Sequence, residues 1–208
     1  MSILTEKQIK YGHNYFHKDE PDKRCIVEVS DYKGEKELII NCTQLGDSFT
    51  PQYKTAKDKK RVLEEWCDFL KNNKTAFTEL TFVTRMPQEL FNAVCEQENL
   101  KKLHIKWGLY PDISNLANLT KLEYLHLGSG VSVSNIEAIS KLKNLVALSV
   151  ENFQKINDYS PLIGLKNLES LSIEGDGLGP QYIHVNSLDF LTEMKQLRFI
   201  SFLTASLK

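Results

Sequence analysis

Apolar residues recur through most of the chain in the pattern LxxLxL, in which other apolar residues replace some leucines. Successive matches begin 23, 22, 23, 23 and 29 residues apart. A repeat of this length is typical of a solenoid, because one strand and one return segment cannot bury their own apolar surface without neighbouring copies. The six matches begin at Phe77, Leu100, Leu122, Leu145, Leu168 and Leu197.

A second apolar series follows each of the four matches from Leu100 to Leu168, at a spacing of three residues. After Leu122, for example, it runs Val133, Ile136, Ile139 and Leu142. This spacing predicts short 3-10 or helical returns between the strands. Residues suited to the start of such a turn lie in the expected places, namely Asp112, Ser134 with Glu137, and Ser160 before Pro161.

The residues between the inward leucines form an outward surface, which we call the strand face. Stacking the repeats aligns these residues in columns with neighbours about 4.8 Å apart. The first column is Glu79, Lys102, Tyr124, Ala147, Ser170 and Phe199. The second is Thr81, His104, His126, Ser149, Ser172 and Ser201, and the third is Val83, Lys106, Gly128, Glu151, Glu174 and Leu203.

This pattern resembles the leucine-rich repeat family, and most of all its short, bacterial, internalin-like class with repeats of about 22 residues. The resemblance covers Phe77 to Phe202, about 60% of the chain. It implies an α/β right-handed solenoid with parallel strands on a concave face and short helical or 3-10 returns on a convex face. The family's asparagine, eight residues after the first leucine, is replaced here by Gly108, Gly130, Phe153 and Asp176. We expect nearby Trp107, Tyr110 and Phe153 to pack between coils in its place.

The segments before the array predict a cap. We divide the chain into an N-terminal cap region, residues 1–75, and a repeat array of five to six strands, residues 76–208, whose last repeat is incomplete. Residues 54–74 form an amphipathic pattern that predicts a helix. Strands are expected at 24–30 and 37–42, and a short helix at 87–94. Residues 1–22, which include Tyr11, Tyr15, Phe16, His13 and His17, are expected to form a loose arm or to pack on the cap.

The last match is followed by six residues, with neither a return segment nor a polar cap. This arrangement predicts an apolar edge strand, which is a site for pairing or aggregation. Two explanations stay open: the chain stops or was cut at this point, or the edge pairs with another molecule.

Charge and composition argue against several classes of function. Residues 1–75 hold 14 Lys and Arg against 13 Asp and Glu, and the rest of the chain holds 12 against 14. Neither part has the basic cluster that binds nucleic acid or an anionic membrane. No signal peptide or membrane span is visible. Cys25, Cys42, Cys67 and Cys95 lack CxxC spacing, so we expect four buried, reduced thiols and a cytoplasmic protein.

Catalytic motifs are absent from the sequence, and we expect neither an enzyme nor a cofactor. His104 and His126 are predicted to be neighbours, and two adjacent imidazoles could bind a metal ion such as zinc. Glu151, the nearest third ligand, lies one strand and one column away, and Lys106 would repel a cation. Glu151 and Glu174 are paired acids on an open face, where desolvation is too weak to tune a carboxyl group for acid catalysis.

The expected function is protein binding through the strand face and an inserted loop at residues 175–184. Insertions in repeat proteins fall in loops that often belong to the binding face. The candidate contact set is Lys102, His104, Tyr124, His126, Asp176, Tyr182 and Phe199. The expected state is a monomer or weak dimer. A scaffold that assembles through the C-terminal edge, a metal-dependent enzyme that uses the histidines, and an immunity or effector role are alternatives.

Overall fold

The computed structural model describes residues 4–12, 23–176 and 181–207. Within these ranges the α-helices are α1 (Glu6–Tyr11), α2 (Ala56–Asn72) and α3 (Gln88–Val94). The strands are β1 (Cys25–Ile26), β2 (Glu37–Ile40), β3 (Glu79–Met86), β4 (Lys102–Gly108), β5 (Tyr124–Leu127), β6 (Ala147–Glu151), β7 (Ser170–Glu174), β8 (Ile183–Val185), β9 (Phe199–Leu203) and β10 (Ala205–Leu207). Short 3-10 turns lie at Val29–Asp31, Ser114–Asn118, Ile139–Lys141, Ser160–Gly164 and Asp189–Glu193.

One eight-stranded parallel sheet runs through the described part of the chain. Its strands follow chain order from β1 to β7 and end with β9, while β8 lies outside it. From β4 onward a 3-10 turn separates each strand of this sheet from the next. Strand, turn and parallel strand therefore repeat as a solenoid, as the sequence spacing predicts.

The apolar core lies between the sheet and the 3-10 turns. The inward leucines of neighbouring strands, such as Leu125, Leu148 and Leu171, are fully buried. On the return side, Ile139 and Leu162 are each only 1% exposed. These residues belong to one continuous cluster that runs from Ile26 to Met194. Each repeat therefore buries its apolar edge against the next one.

Asp or Asn side chains form Asx turns just before the returns. The carboxylate of Asp112 accepts a hydrogen bond from the Ser114 N–H at 2.8 Å, and Asp158 accepts one from Ser160 in the same way. Before the return between β5 and β6, the side-chain oxygen of Asn135 accepts a hydrogen bond from the Glu137 N–H. This turn differs from the predicted pairing of Ser134 with Glu137.

The N-terminal strands extend the same sheet, and α2 packs beside them. Thr55 and Asp58 form a capping box at the start of α2, which confirms the predicted helix. The indole of Trp66 donates a hydrogen bond to the Val27 carbonyl at 2.7 Å. The strand expected at 24–30 is only Cys25–Ile26, because the chain turns into a 3-10 segment soon after it. The division at residue 75 stays a prediction.

β9 is the edge strand of the main sheet, as the sequence predicts, and the chain continues beyond it. After β9, Thr204 adopts a left-handed backbone with φ 51°, and the chain continues as β10. β10 pairs in parallel with β8, which lies inside the 29-residue repeat. The insertion thus forms part of a second, two-stranded sheet. Ile200, Leu203 and Leu207 are 45%, 57% and 61% exposed.

Aromatic rings fill the turns that lack the family asparagine. Tyr110 is 1% exposed, and its ring packs on Phe91 with centroids 4.3 Å apart. A Cβ atom at Gly108 would lie 2.7 Å from the Tyr110 ring, so glycine is needed there for space. Phe153 is fully buried. Tyr110 and Phe153 therefore pack between coils as expected, whereas Trp107 is only partly buried and has the Lys106 ammonium 4.5 Å above its ring.

The cysteines are all free thiols, but only three are buried. Cys42, Cys67 and Cys95 lie in the core, and burial raises the pKa of the Cys67 thiol to about 11. Cys25 is exposed, which corrects the expectation of four buried thiols. The difference arises because Cys25 lies on β1, the outermost strand at that end of the sheet.

Candidate functional site

The strand register confirms two of the three predicted columns. Lys102 pairs with Tyr124, Tyr124 with Ala147, and the series continues to Phe199. The second column is equally regular, with His104 opposite His126. The third holds only for Glu151, Glu174 and Leu203. It fails at Val83 because the register of β3 and β4 shifts between Phe82 and Arg85.

His104 and His126 form a stacked pair on the strand face. Their ring centroids are 4.3 Å apart and their planes differ by 15°. The Nδ1 atom of His126 lies 3.0 Å from the Ser149 hydroxyl on the next strand. The parallel register makes the stack, because it places identical positions of adjacent repeats side by side.

The first column joins a cation, an acid and an aromatic ring. The Lys102 ammonium lies 5.3 Å from the centroid of the Tyr124 ring and 3.5 Å from a carboxylate oxygen of Glu79. Lys23 forms a second ion pair with Glu79. Glu79 is only 5% exposed although it points to the strand face. Two ammonium groups thus compensate a buried carboxylate, as a buried charge requires.

A small cavity brings together four of the seven predicted contact residues. Lys102, His104, Tyr124 and His126 line a space of about 40 Å³, together with Glu79 and Gln8, and Leu103 and Leu125 form its base. This volume is on the order of that of one water molecule. Phe199 lies three strands along the first column from Tyr124 and is partly buried.

Gln8 belongs to an N-terminal segment, residues 4–12, that lies on the strand face. Leu4 is 6% exposed and packs with Val146 and Ala147, while Ile9 and Tyr124 border this cluster. These contacts place the segment on the repeats, whereas the sequence predicted a loose arm or packing on the cap. His13, Tyr15, Phe16 and His17 lie outside the described residues.

The local structure of the segment has a clear cause. Thr5 and Gln8 form a capping box at the start of α1, with the Thr5 hydroxyl accepting from the Gln8 N–H at 3.2 Å. Leu4 and Ile9 flank that box in the positions of a hydrophobic staple. The sequence LTEKQI carries both motifs, so a signal for the helix was available. Its docking site on the repeats had no local signal.

The acidic pair predicted in the third column is present. Glu151 and Glu174 are directly opposite on β6 and β7. Burial, and then the charge of Glu151, raise the pKa of Glu174 above its usual range. Desolvation at Glu174 is thus stronger than the sequence predicts for an open face, because this carboxyl group is partly buried.

Asp176 and Tyr182 lie apart from the columns, beyond the carboxyl end of β7. The Asp176 N–H donates to the Gln181 carbonyl at 3.1 Å, and Tyr182 is 55% exposed. Residues 177–180, the middle of the predicted 175–184 loop, lie outside the described residues. Asp176 and Tyr182 thus belong to the connection between β7 and β8, outside the columns.

Two properties concern the described residues as a whole. In the described ranges, no three His, Cys, Asp or Glu side chains converge into a group that could hold a metal ion. Among the helices of those ranges, none has the length and apolar character to cross a membrane.

Comparison with known proteins identifies the fold. An internalin (inlF) from Listeria monocytogenes is 23% identical, covers 67% of this chain and matches with a TM-score of 0.52. The match spans 38% of that internalin's own chain. The likeness, together with the strand and 3-10 repeat, confirms the α/β leucine-rich repeat solenoid that the LxxLxL spacing predicts. The assignment to the 22-residue class stays a prediction.

Two further structures match more distantly. Internalin C2 (inlC2) from Listeria monocytogenes is 20% identical, with a TM-score of 0.47, over 68% of this chain and 66% of its own. The plant peptide hormone receptor RGFR1, in complex with RGF2, is 15% identical, with a TM-score of 0.44, over 62% of this chain and 20% of its own. No family model matches the sequence, and no curated protein matches it.

Proposed function

From the leucine-rich repeat fold we propose that this protein is a binding module that holds a partner protein on its strand face. The observation that carries the proposal is the alignment of Lys102, Tyr124 and the stacked His104–His126 pair around one cavity of the sheet. Aromatic side chains such as that of Tyr124 at the centre of a surface are typical of protein interfaces. Fold alone does not assign function, so these side chains provide the support that the fold cannot give.

The proposed contact surface extends from this cavity in two directions. Phe199 continues it along the first column, and Asp176 with Tyr182 extends it to the edge beyond β7. The ring of Tyr182 is more than half exposed, which suits a contact residue. The inserted loop would then touch the partner beside the strands.

We propose binding rather than catalysis, and a protein rather than nucleic acid or a membrane as the partner. The chain carries 26 Lys and Arg against 27 Asp and Glu. A surface with this balance lacks the excess of cations that gives affinity for phosphates. The four free thiols support a reducing compartment, and we propose the cytoplasm.

Affinity capture from a lysate of the source organism tests the proposal. The test variant is Tyr124→Ala with His126→Ala and Lys102→Glu. The matched control is Asn118→Ala with Lys166→Ala and Lys141→Glu, which makes the same number of changes on the return side of the repeats. A protein held by wild type and control but lost from the test variant supports the strand face.

Two results of this capture experiment would contradict the proposed function. Equal capture by all three chains would exclude the strand face as the binding surface. Capture of no protein by any chain would exclude a protein partner in that lysate.

A second candidate function is assembly through the last described strands. Ile200, Leu203 and Leu207 give that end an exposed apolar surface, and Val185, Leu188 and Phe202 line a groove beside it. Sedimentation velocity at several concentrations tests this role. An assembling protein should sediment faster as concentration rises, and Leu203→Glu should remove that increase. A single monomeric species at all concentrations would exclude it.

A further inference from the structure

The strand face proposed to bind a partner is already in contact with the protein's own N-terminal segment. Of residues 4–12, Leu4 and Gly12 are buried, and the others are exposed or partly buried. Leu4 lies against Val146 and Ala147. At the other end, a Cβ atom at Gly12 would lie 2.8 Å from the Phe199 ring. The segment therefore lies along the first column, from the cavity at Lys102 to Phe199.

The segment covers residues of the proposed contact set. Tyr124 borders the Leu4 cluster, and Gln8 lines the cavity with Lys102 and His126. Ala147, an outward residue, has no exposed surface. A partner cannot contact Tyr124 and Phe199 fully while residues 4–12 remain in place.

The segment is attached in the manner of a ligand. Its buried leucine belongs to a small cluster that is separate from the continuous core on the other side of the sheet. Helix α1 has six residues and none of them is buried. So short a helix is marginal in water without its docking contacts. The repeats bury their leucines without help from residues 4–12.

We propose that residues 4–12 are a built-in competitor of the strand face, and that the partner displaces them with a segment of the same kind. This inference rests on the proposed function. The partner segment is then a short capped helix that opens with an aliphatic side chain, which occupies the site of Leu4 on Ala147. A polar amide one turn later takes the place of Gln8 at the Lys102–His126 cavity.

A thiol placed under Leu4 reports whether the segment covers the face. The full chain carries Ala147→Cys, with Cys25→Ser to remove the exposed thiol. Cys42, Cys67 and Cys95 are buried. We expect Leu4→Asp to raise the rate of modification of this thiol by a disulfide reagent at least ~10-fold, because the reagent reaches it when the segment leaves. Leu109→Asp, the same change at a leucine that is 55% exposed, should leave the rate unchanged.

Stability distinguishes a competitor from a part of the core. We expect Leu4→Asp to leave the thermal midpoint close to that of Leu109→Asp and well above that of Leu148→Ala. If the thiol reacts at the same rate with and without Leu4→Asp, the docking of the segment is overturned. A midpoint as low as that of Leu148→Ala would overturn displacement.

Hydrogen exchange provides a measurement without any substitution. The Ile9 N–H bonds to the Thr5 carbonyl and the Gly12 N–H to that of Gln8. We expect both amides to be protected, but to exchange faster than the amide of Leu148 in the sheet. Exchange at the rate of an unstructured peptide would contradict docking, and exchange as slow as Leu148 would contradict displacement.

A synthetic peptide tests the chemistry of the partner segment. The probe is acetyl-LTEKQIKYG, residues 4–12, added to the Leu4→Asp, Ala147→Cys chain. A tethered segment experiences an effective concentration of about 1 mM or more. If the docked state is about ten times more populated than the undocked state, the free peptide should bind with a Kd of about 0.1–1 mM. We expect about 5 mM peptide to slow the thiol reaction, and the peptide with Leu4→Asp to have no effect. Absence of protection by the first peptide would overturn the inference.

Failure of this inference and failure of the proposed function give different results. The thiol and peptide assays require no partner. If capture of a protein increases several-fold with Leu4→Asp and disappears with the strand-face variant, both proposals are supported. Capture that Leu4→Asp leaves unchanged contradicts competition alone, whereas no capture beside a responsive thiol contradicts the proposed function alone.

Discussion

Gly130 lies directly beneath the ring of Phe153 in the next repeat. A Cβ atom at Gly130 would be 2.2 Å from Cε2 of Phe153 and 2.4 Å from Cδ2. Both residues occupy the position of the missing family asparagine in their own repeats. In one of these two turns the Phe153 ring stands in place of the family asparagine. In the other turn Gly130, which has no side chain, leaves space for that ring.

Gly130→Ala should destabilise the protein because the Phe153 ring is fully buried and cannot move aside freely. Overpacking of this kind costs about 1–3 kcal/mol of unfolding free energy. Urea unfolding measures the loss. Gly164→Ala is the control, since its new methyl would meet only the flexible end of Lys143. With Phe153→Leu, the double variant should lose less than the sum of the single losses; strict additivity would show that the two sites do not interact.

Tyr110→Phe should leave the unfolding free energy unchanged or raise it by about 1 kcal/mol. The Tyr110 hydroxyl is buried and has no hydrogen-bond partner in the structure, so its removal relieves a desolvated polar group. Burial raises the pKa of this phenol for the same reason. Tyr53→Phe is the control, because the Tyr53 hydroxyl hydrogen-bonds to Glu28 and its loss should be destabilising. A clear loss of stability in Tyr110→Phe would indicate a partner for its hydroxyl.

Glu174→Gln should raise the unfolding free energy at pH 7 and have less effect in acid. The folded protein raises the pKa of Glu174, so the folded state holds the charged form less well than the unfolded state does. The penalty is present above the folded pKa and disappears as pH falls below the unfolded pKa of about 4.3.

Because Glu174 is partly solvated, we expect a gain below about 1 kcal/mol, and a smaller one at high salt. Denaturant unfolding between pH 3 and 8 measures it. Glu37→Gln, at an exposed strand position, is the matched substitution and should change stability by less than about 0.5 kcal/mol. A gain that grows as pH falls would contradict the assignment of the raised pKa.

One thiol should react rapidly with a disulfide reagent in the native protein, and three more should react after unfolding. Cys25 is exposed whereas the other three thiols are buried, and desolvation raises the pKa of all four thiols. The thiolate is the reactive form, so both effects slow the buried thiols. Cys25→Ser should remove the rapid reaction. Two or more rapid thiols in the native wild type would contradict the packing around α2 and α3.

The candidate site was partly predictable. Lys102, Tyr124, His104 and His126 were placed together by the repeat period alone, because equal positions in parallel repeats become neighbours. Glu79 was assigned to the right column, but its burial depends on Lys23, which comes from outside the array. Leu4 and Gln8 were missed as contacts of the face. Their capping box indicates a helix and contains no information on what that helix touches.

The sequence by itself determined the solenoid, the inward leucines, the 3-10 returns and helix α2. These features follow from local periodicity and from contacts between consecutive repeats, which the spacing of apolar residues specifies. Only the tertiary structure decided that residues 4–12 lie on the strand face, that β10 pairs with β8, and that Gly130 makes room for Phe153. Each of these contacts depends on how the shapes of two segments fit together. The local sequence of each segment is compatible with many packing sites, so it does not specify which site the segment occupies.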